Sequence, residues 1–218
     1  MKIRSSEDLT DRLAQDLIWR KRELSDLKYL ITSAYSHRRV SVLGRSGIAL
    51  LYAHWEGYIK KSSEFYLEFI RMQRLKNKDL ANNFLAIAVN QQFHKVTNTS
   101  KYSSYINIVD FFKTKLNDRS IFSHKTVIDT ESNLTSKVFK EIISTLGFDY
   151  SYYEPLEKLI DSKILGRRNK IAHGETQPID VSEYLLLHDR IIEMLENYRT
   201  LIENAVVLKQ YLGYGKDS

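Results

Sequence analysis

The sequence predicts an all-α protein, a helical bundle of long antiparallel helices with a few shorter ones. Only two prolines and eight glycines occur among the 218 residues, so few positions interrupt a helix. Apolar residues also recur at steps of three, four and seven along the chain, which is the spacing of one helix face. We expect a single domain, residues 1–218, because this length suits one hydrophobic core.

The first half of the chain predicts three helices. The first covers about residues 8–35, with Ser6 as its N-cap. The second covers about residues 42–75, and its centre, IALLYAHWEGYIK, is apolar nearly all round, which predicts the buried middle of the bundle. The third covers about residues 79–96. The small polar residues of TNTSKYSS, residues 97–104, then predict an exposed loop.

Shorter elements follow the predicted loop. A helix is expected over about residues 105–116. The stretch HKTVIDTESNL, residues 124–134, predicts irregular or briefly extended chain. The helical pattern resumes over about residues 135–146 and ends at Gly147, a typical residue just beyond a helix.

Two prolines mark the last helices. Pro155 suits the first turn of a helix that runs through residue 165 toward residue 173. Pro178 stops that helix. Asp180 and Glu183 have the spacing of a capping box for a last long helix over about residues 181–212.

Composition excludes several classes of protein. The chain has no cysteine, which rules out disulfides and thiolate metal sites. The N-terminus has no apolar signal region, and no uncharged run has the length of a membrane span, so we expect a cytoplasmic protein without membrane contact. Lysine and arginine number 33 and acidic residues 27, a net charge of +6. This excess is compatible with nucleic acid as a partner but does not require one.

The stretch RRNKIAHGE, residues 167–175, carries the chemistry most useful for cutting RNA. Arg168 can hold phosphate oxygens in a fixed fork, and His173 can move a proton near neutral pH. Asn169 and His173 are four residues apart and share a helix face, whereas Arg168 and His173 diverge by about 140°. A two-fold symmetric partner could supply the missing half of such a site. No metal is needed if the RNA's own 2′-hydroxyl is the nucleophile.

A simpler interpretation of the same stretch stays open. Basic residues near a helix C-terminus offset the helix dipole, and Gly174 is an ordinary residue for ending a helix. The motif would then be only a helix end, and the protein a helical interaction domain.

Three stretches together resemble a known family. They are LLYAHWEGYIKK (residues 50–61), IDTESNLTSKVFKEI (residues 128–142) and RRNKIAHGE. In order and spacing they are similar to the HEPN superfamily, in particular to its MAE-type HEPN-like nucleases. The resemblance covers about residues 42–201.

This resemblance implies a metal-independent endoribonuclease without a cofactor, active as a homodimer with the motif at the shared cleft. By position, Arg168 would bind and polarise the scissile phosphate, His173 would be the general acid or base, and Asn169 would orient His173 or contact the phosphate. We expect single-stranded or loop RNA as the substrate, since unpaired bases reach the in-line geometry more easily. The resemblance also implies a toxin or antiphage-defence effector, with an antitoxin or another defence-system protein as a partner.

Supporting residues are predicted around this motif. Glu56 lies in the most apolar helix, where an acidic group needs a partner. We expect it to face the motif and to hydrogen-bond Arg168 or Arg167, either to line the catalytic groove or as a buried structural partner. Lys170 is a further supporting residue. His54 is expected to be structural, and Trp55 belongs to the core.

Other polar clusters have two interpretations each. Asp129 and Glu131 could form a metal pair, but capping of the following helix is favoured. The basic groups at residues 19–22, 37–39 and 71–78 either follow an RNA backbone or form solvated helix faces. His94, His124 and His188 lack ligand spacing, so no metal site is predicted. The alternative function is a non-catalytic HEPN-type module that binds nucleic acid or a nucleotide.

Overall fold

The computed structural model describes residues 2–93 and 102–213, and the predicted all-α fold is confirmed. The described residues contain seven α-helices and no strand: α1 Ser6–Thr32, α2 His37–Met72, α3 Asn82–Phe93, α4 Tyr102–Thr114, α5 Ser136–Leu146, α6 Gly166–Ala172 and α7 Val181–Val207. Short 3₁₀ turns lie at Asn77–Asp79 and Glu154–Leu156. A π-helical segment, Leu159–Leu165, leads directly into α6.

The long helices α1, α2 and α7 pack against one another and form the frame of the bundle. The predicted burial of the centre of α2 is confirmed, since Trp55 and Tyr58 are fully buried. The Trp55 ring lies 4.9 Å from the ring of Phe139 in α5 and 6.2 Å from that of Tyr153. Trp55 is therefore a core residue, as expected, and it holds α5 and the chain before α6 against α2.

The starts of the first two helices differ from the prediction. Ser5, not Ser6, caps α1: its hydroxyl accepts from the backbone N–H of Asp8 at 3.0 Å, and the Asp8 carboxylate accepts from the N–H of Ser5 at 3.2 Å. Helix α2 begins at His37, five residues before the predicted start at 42. Its first turn is polar and exposed, so the apolar periodicity does not reveal it.

The region after α3, where the sequence predicts a helix end and a loop, lies only partly within the described residues. Residues 94–101, which include His94, lie outside the described residues. Residues 102–104, predicted as loop, belong to α4.

The predicted span of α5 is confirmed, but its N-cap is not the predicted one. Thr135 accepts from the N–H of Val138 at 3.1 Å, and Gly147 ends the helix with φ at 75°. The favoured role of Asp129 and Glu131 as caps of this helix is wrong. Asp129 instead accepts from the N–H of Glu131 at 2.9 Å and stabilises the preceding turn.

The last helix is capped at its predicted residue but without the predicted box. Asp180 accepts from the N–H of Ser182 at 3.2 Å, whereas Glu183 turns away to pair with Arg167 at 2.7 Å. Helix α7 ends at Val207 rather than at 212 because the chain turns back, with Lys209 at φ 51°. The N–H of Gly213 then donates to the carbonyl of Asp79 at 2.9 Å.

None of the helices within residues 2–93 and 102–213 combines the length and the apolar character that crossing a membrane requires.

We predict that Gly47→Ala destabilises the fold. A Cβ at Gly47 would lie 2.5 Å from the ring of Tyr184 and 3.0 Å from Ile31, and both side chains are buried. Overpacking of this kind costs about 1–3 kcal/mol, which outweighs the gain of about 1 kcal/mol from replacing glycine by alanine in a helix. Urea unfolding would measure the loss.

Ser46→Ala is the matched control, because Ser46 is the exposed neighbour on the same helix. It should keep the wild-type unfolding midpoint or raise it slightly. Equal or higher stability of Gly47→Ala would contradict a close approach of α2 to α7 at this point.

Candidate functional site

The π-helical segment before α6 determines the directions in which the motif side chains of α6 point. A π turn inserts one residue into an α-helix, so the side chains that follow are rotated by about 100°. Asp161 fixes this segment to the start of α5, accepting from the N–H of Ser136 at 2.7 Å and from its hydroxyl at 2.6 Å. A Cβ at Gly166 would lie 3.1 Å from the carbonyl of Asp161. The glycine therefore lets the chain pass closely from π to α geometry.

The motif does end a helix, as the simpler interpretation expects. Gly174 has φ at 78°, its N–H donates to Ile171 at 3.1 Å, and the N–H of Glu175 donates to Lys170 at 2.9 Å. These two bonds are the Schellman pattern of a helix C-terminus. His173 is the C-cap residue, so this turn determines where its backbone lies.

Arg168 is held between two side chains from distant parts of the sequence. Its guanidinium carbon lies 4.0 Å from the centre of the Tyr52 ring. Its Nη2 donates to the side-chain oxygen of Asn133 at 2.8 Å. Arg168 is half-buried, and stacking on an aromatic face with a hydrogen bond in the plane leaves its guanidinium little freedom.

Tyr52 in turn supports the turn that carries Asn133. Its hydroxyl accepts from the backbone N–H of Leu134 at 2.7 Å. Burial raises the pKa of Tyr52, opposed by the hydrogen bond from Leu134, while the nearby charge of Glu56 raises the pKa and that of Arg168 lowers it. The phenol therefore stays neutral around physiological pH and presents a neutral ring to the arginine.

The turn before Asn133 is strained. Glu131 and Ser132 have φ at 49° and 64°, a left-handed conformation that costs about 1–2 kcal/mol per non-glycine residue. The N–H of Asn133 donates to Thr130 at 2.9 Å and closes the turn. Strain of this kind often lies at functional sites, and here it directs the Asn133 amide at Arg168.

Asn133 and Tyr52 are the site residues that sequence reasoning missed. Both lie inside stretches that resemble the family, but neither residue type indicates by itself a contact with Arg168. The structure brings all three resembling stretches together at the Arg168 guanidinium.

Arg167 occupies a different environment from its neighbour. It is half-buried, and its Nη2 lies 2.7 Å from the Glu183 carboxylate of α7. Lys163 approaches the same carboxylate at 3.6 Å. Arg167 therefore ties α6 to α7, whereas Lys170 is exposed to solvent.

The predicted hydrogen bond from Glu56 to an arginine of the motif is wrong. Arg168 donates to Asn133 and Arg167 to Glu183, and within the described residues Glu56 has neither a hydrogen bond nor an ion pair. Glu56 is only half-buried at the edge of α2, so it does not need the partner that full burial would demand. It still lies close enough to Tyr52 for its charge to affect the pKa of the phenol.

His54 faces the opposite side of α2 and has a structural environment. It is buried, with Nε2 2.7 Å from the Glu23 carboxylate and its ring 5.2 Å from that of Trp19. Burial lowers the pKa of His54, and the charge of Glu23 acts in the opposite direction. These contacts join α1 to α2, away from Arg168.

Arg168 and His173 are not brought together within the chain. Residues 166–172 are α-helical, so the predicted divergence of about 140° holds. Arg168 is half-buried and His173 is exposed. In the described part of the chain no side chain hydrogen-bonds or ion-pairs with the His173 ring, and Asn169 is half-buried beside it.

No group of three or more histidine, aspartate or glutamate side chains within residues 2–93 and 102–213 has a metal-binding arrangement. The basic group at residues 19–22 is largely engaged within the fold. Arg20 is 2.7 Å from Asp16, and Lys21 pairs with Glu196 of α7.

Comparison with known protein families assigns the chain to a family. A family model for MAE-like HEPN domains matches residues 9–211, which is most of the chain. No curated protein and no solved structure matches it.

We predict that Tyr52→Phe destabilises the protein although it keeps the ring under Arg168. The change leaves the N–H of Leu134 without its acceptor, and Leu134 is fully buried. An unpaired buried donor costs about 1–3 kcal/mol. Urea unfolding should show this loss for Tyr52→Phe but not for Tyr35→Phe, whose side chain is 93% exposed. Wild-type stability of Tyr52→Phe would mean that the hydroxyl does not support the turn.

Proposed function

The chain belongs to the HEPN family, and we propose that it is a metal-independent endoribonuclease that cleaves single-stranded or loop RNA. Membership of the HEPN family suggests a nuclease or a nucleotide-binding module. The observation that favours a nuclease is the guanidinium of Arg168, fixed by Tyr52 and Asn133 five residues before an exposed histidine.

The proposed reaction needs two groups. His173 or its symmetry mate removes the proton of the 2′-hydroxyl, and the 2′-oxygen attacks phosphorus. The P–O5′ bond breaks, and the leaving oxygen takes up the proton that this histidine has removed. The products are a 2′,3′-cyclic phosphate, or a 3′-phosphate after hydrolysis, and a 5′-hydroxyl. Arg168 stabilises the charge that develops on the non-bridging oxygens.

The neighbouring residues have supporting roles in this proposal. Asn169 orients His173 or contacts the phosphate. Lys170 is exposed and available to the RNA backbone. Arg167 holds α6 in place through Glu183, and Glu56 acts through its charge near Tyr52 rather than through a hydrogen bond.

We further propose that the active species is a homodimer with residues 165–175 beside the two-fold axis. Arg168 and His173 diverge on one helix, so one protomer does not direct both at the same phosphate. A two-fold axis through this region would place the arginine of one protomer opposite the histidine of its partner.

Such an activity fits the biological role of a cytoplasmic toxin or antiphage-defence effector. An antitoxin or another defence protein would restrain it. This role would be supported if expression of the wild-type protein arrests cell growth and expression of His173→Ala does not.

We predict that His173→Ala lowers the RNA cleavage rate by about 10²–10⁴-fold while RNA binding is kept, since general acid–base catalysis contributes that much. Arg168→Ala should weaken both phosphate binding and rate. The measurement uses purified protein and labelled RNA in excess EDTA. His124→Ala is the matched control, because His124 lies near Glu68 and Arg71, away from the motif.

Several outcomes would reject this mechanism. DNA, and RNA with a 2′-O-methyl group at the cut site, should resist cleavage. Loss of cleavage in EDTA contradicts a metal-independent reaction, and equal cleavage of DNA contradicts attack by the 2′-hydroxyl. RNA that is bound but never cut by the wild type favours the non-catalytic binding module.

The dimer proposal makes a separate prediction about mixed protomers. Arg168→Ala and His173→Ala should each be inactive alone but recover about a quarter of wild-type activity after mixing and subunit exchange. About half of the dimers are then mixed, and each has one intact composite site of two. Light scattering at micromolar concentration gives the mass. A strict monomer with full activity, or no recovery on mixing, contradicts a shared site.

A further inference from the structure

Two arginines on α2 form a line with Tyr52. Arg38, Arg45 and Tyr52 follow one another at intervals of seven residues, and α2 is continuous from His37 to Met72. In a straight helix, positions seven apart differ by only about 20°. The three residues therefore share one edge of α2, which we call the arginine edge, with about 10.5 Å between successive positions.

The motif segment runs alongside α2 in the opposite direction. Arg168 stacks on Tyr52 at 4.0 Å. Further along the chain, Ile179 lies against the start of α2, where a Cβ at Gly44 would be 3.2 Å from the Ile179 side chain. The chain between these contacts thus passes from the level of Tyr52 to the level of Gly44. His173 lies in this part of the chain. Arg45 follows Gly44 directly in α2, in the direction of Tyr52.

The arginine edge is positive and its cations are not neutralised by the fold. No acidic residue occurs between residues 27 and 55 of the sequence. Arg38 is exposed and Arg45 is half-buried. Within residues 2–93 and 102–213 neither side chain has an ion pair or a hydrogen bond, and the buried Nε of Arg45 has no acceptor. In α1, by contrast, Lys28 is 2.8 Å from Asp189 and Arg20 is 2.7 Å from Asp16.

We propose that the arginine edge binds the phosphate backbone of the RNA strand next to the cleavage site, with Arg45 and then Arg38 contacting successive parts of the strand. This inference rests on the proposed ribonuclease function, because it takes the phosphate at Arg168 as the fixed point of the strand. Guanidinium groups with free donors suit phosphate oxygens. Contacts to phosphates give affinity and position without selecting a sequence.

The test measures binding of an RNA that cannot be cut. The full chain, as wild type and as the double variant Arg38→Gln with Arg45→Gln, is titrated with a fluorescent single-stranded oligonucleotide carrying 2′-O-methyl groups throughout. Each single-strand phosphate contact contributes about 0.7 to the slope of log K against log salt concentration. The double variant should therefore bind more weakly at low salt and lose about 1.4 from that slope.

Two matched controls separate the edge from a general loss of charge. Arg39→Gln removes the same charge one residue away, about 100° around the same helix. Arg22→Gln does so on the exposed surface of α1. Both should keep nearly the wild-type slope, and circular dichroism should show wild-type helicity for every variant.

The outcomes distinguish this proposal from the proposed cleavage. If the slope is reduced in the double variant and the wild type never cuts RNA, the arginine edge is supported and the nuclease function is rejected. A wild type that cuts RNA, with a double variant that binds as the wild type does, rejects the edge and keeps the nuclease. A slope loss of about 0.7 in Arg39→Gln or Arg22→Gln, which is the same loss per arginine as in the double variant, would also overturn the proposal.

Discussion

The placement of the Arg168 guanidinium between the Tyr52 ring and the Asn133 amide is the interaction on which the candidate site depends. It joins three segments that are far apart in sequence: the centre of α2, the turn before α5 and the start of α6. Tyr52 fixes two of them at once, with its ring against Arg168 and its hydroxyl on the N–H of Leu134. A change in any of these segments would therefore alter the direction of the guanidinium.

The fold maintains this arrangement with two irregular pieces of backbone. The π-helical segment sets the direction of the motif that follows it, and Asp161 ties that segment to Ser136. The left-handed residues Glu131 and Ser132 turn the chain so that Asn133 reaches Arg168. Each irregularity costs conformational energy, and the buried contacts of the frame offset it. Such outliers persist where the surrounding structure determines them.

The sequence predicts the helices well because their signal is local. Apolar spacing identifies α1, α2 and α7, and Thr135 and Gly147 mark the ends of α5 as expected. The polar first turn of α2 escapes the same method, since exposed residues carry no periodic signal. The π-helical segment escapes it too, because its buried residues Ile160 and Ile164 are four positions apart, a spacing that an α-helix face also has.

The site is less predictable for a physical reason. A motif shows which groups are present, but the partner of Arg168 depends on contacts between residues 35 positions apart. Glu56 is the natural candidate on the basis of charge. Its position at the edge of α2 leaves it half-buried, so desolvation does not force it into an ion pair.

The difference between the two adjacent arginines follows from the charge of their partners. Arg167 meets the carboxylate of Glu183, and two opposite unit charges about 4 Å apart attract by about 4 kcal/mol at an effective dielectric constant near 20. That pair is largely neutral and would compete with a phosphate. Asn133 is an amide, so it orients Arg168 without cancelling its charge. The guanidinium is thus held in place without a neutralising carboxylate, which the proposed binding of an RNA phosphate and stabilisation of a developing negative charge require.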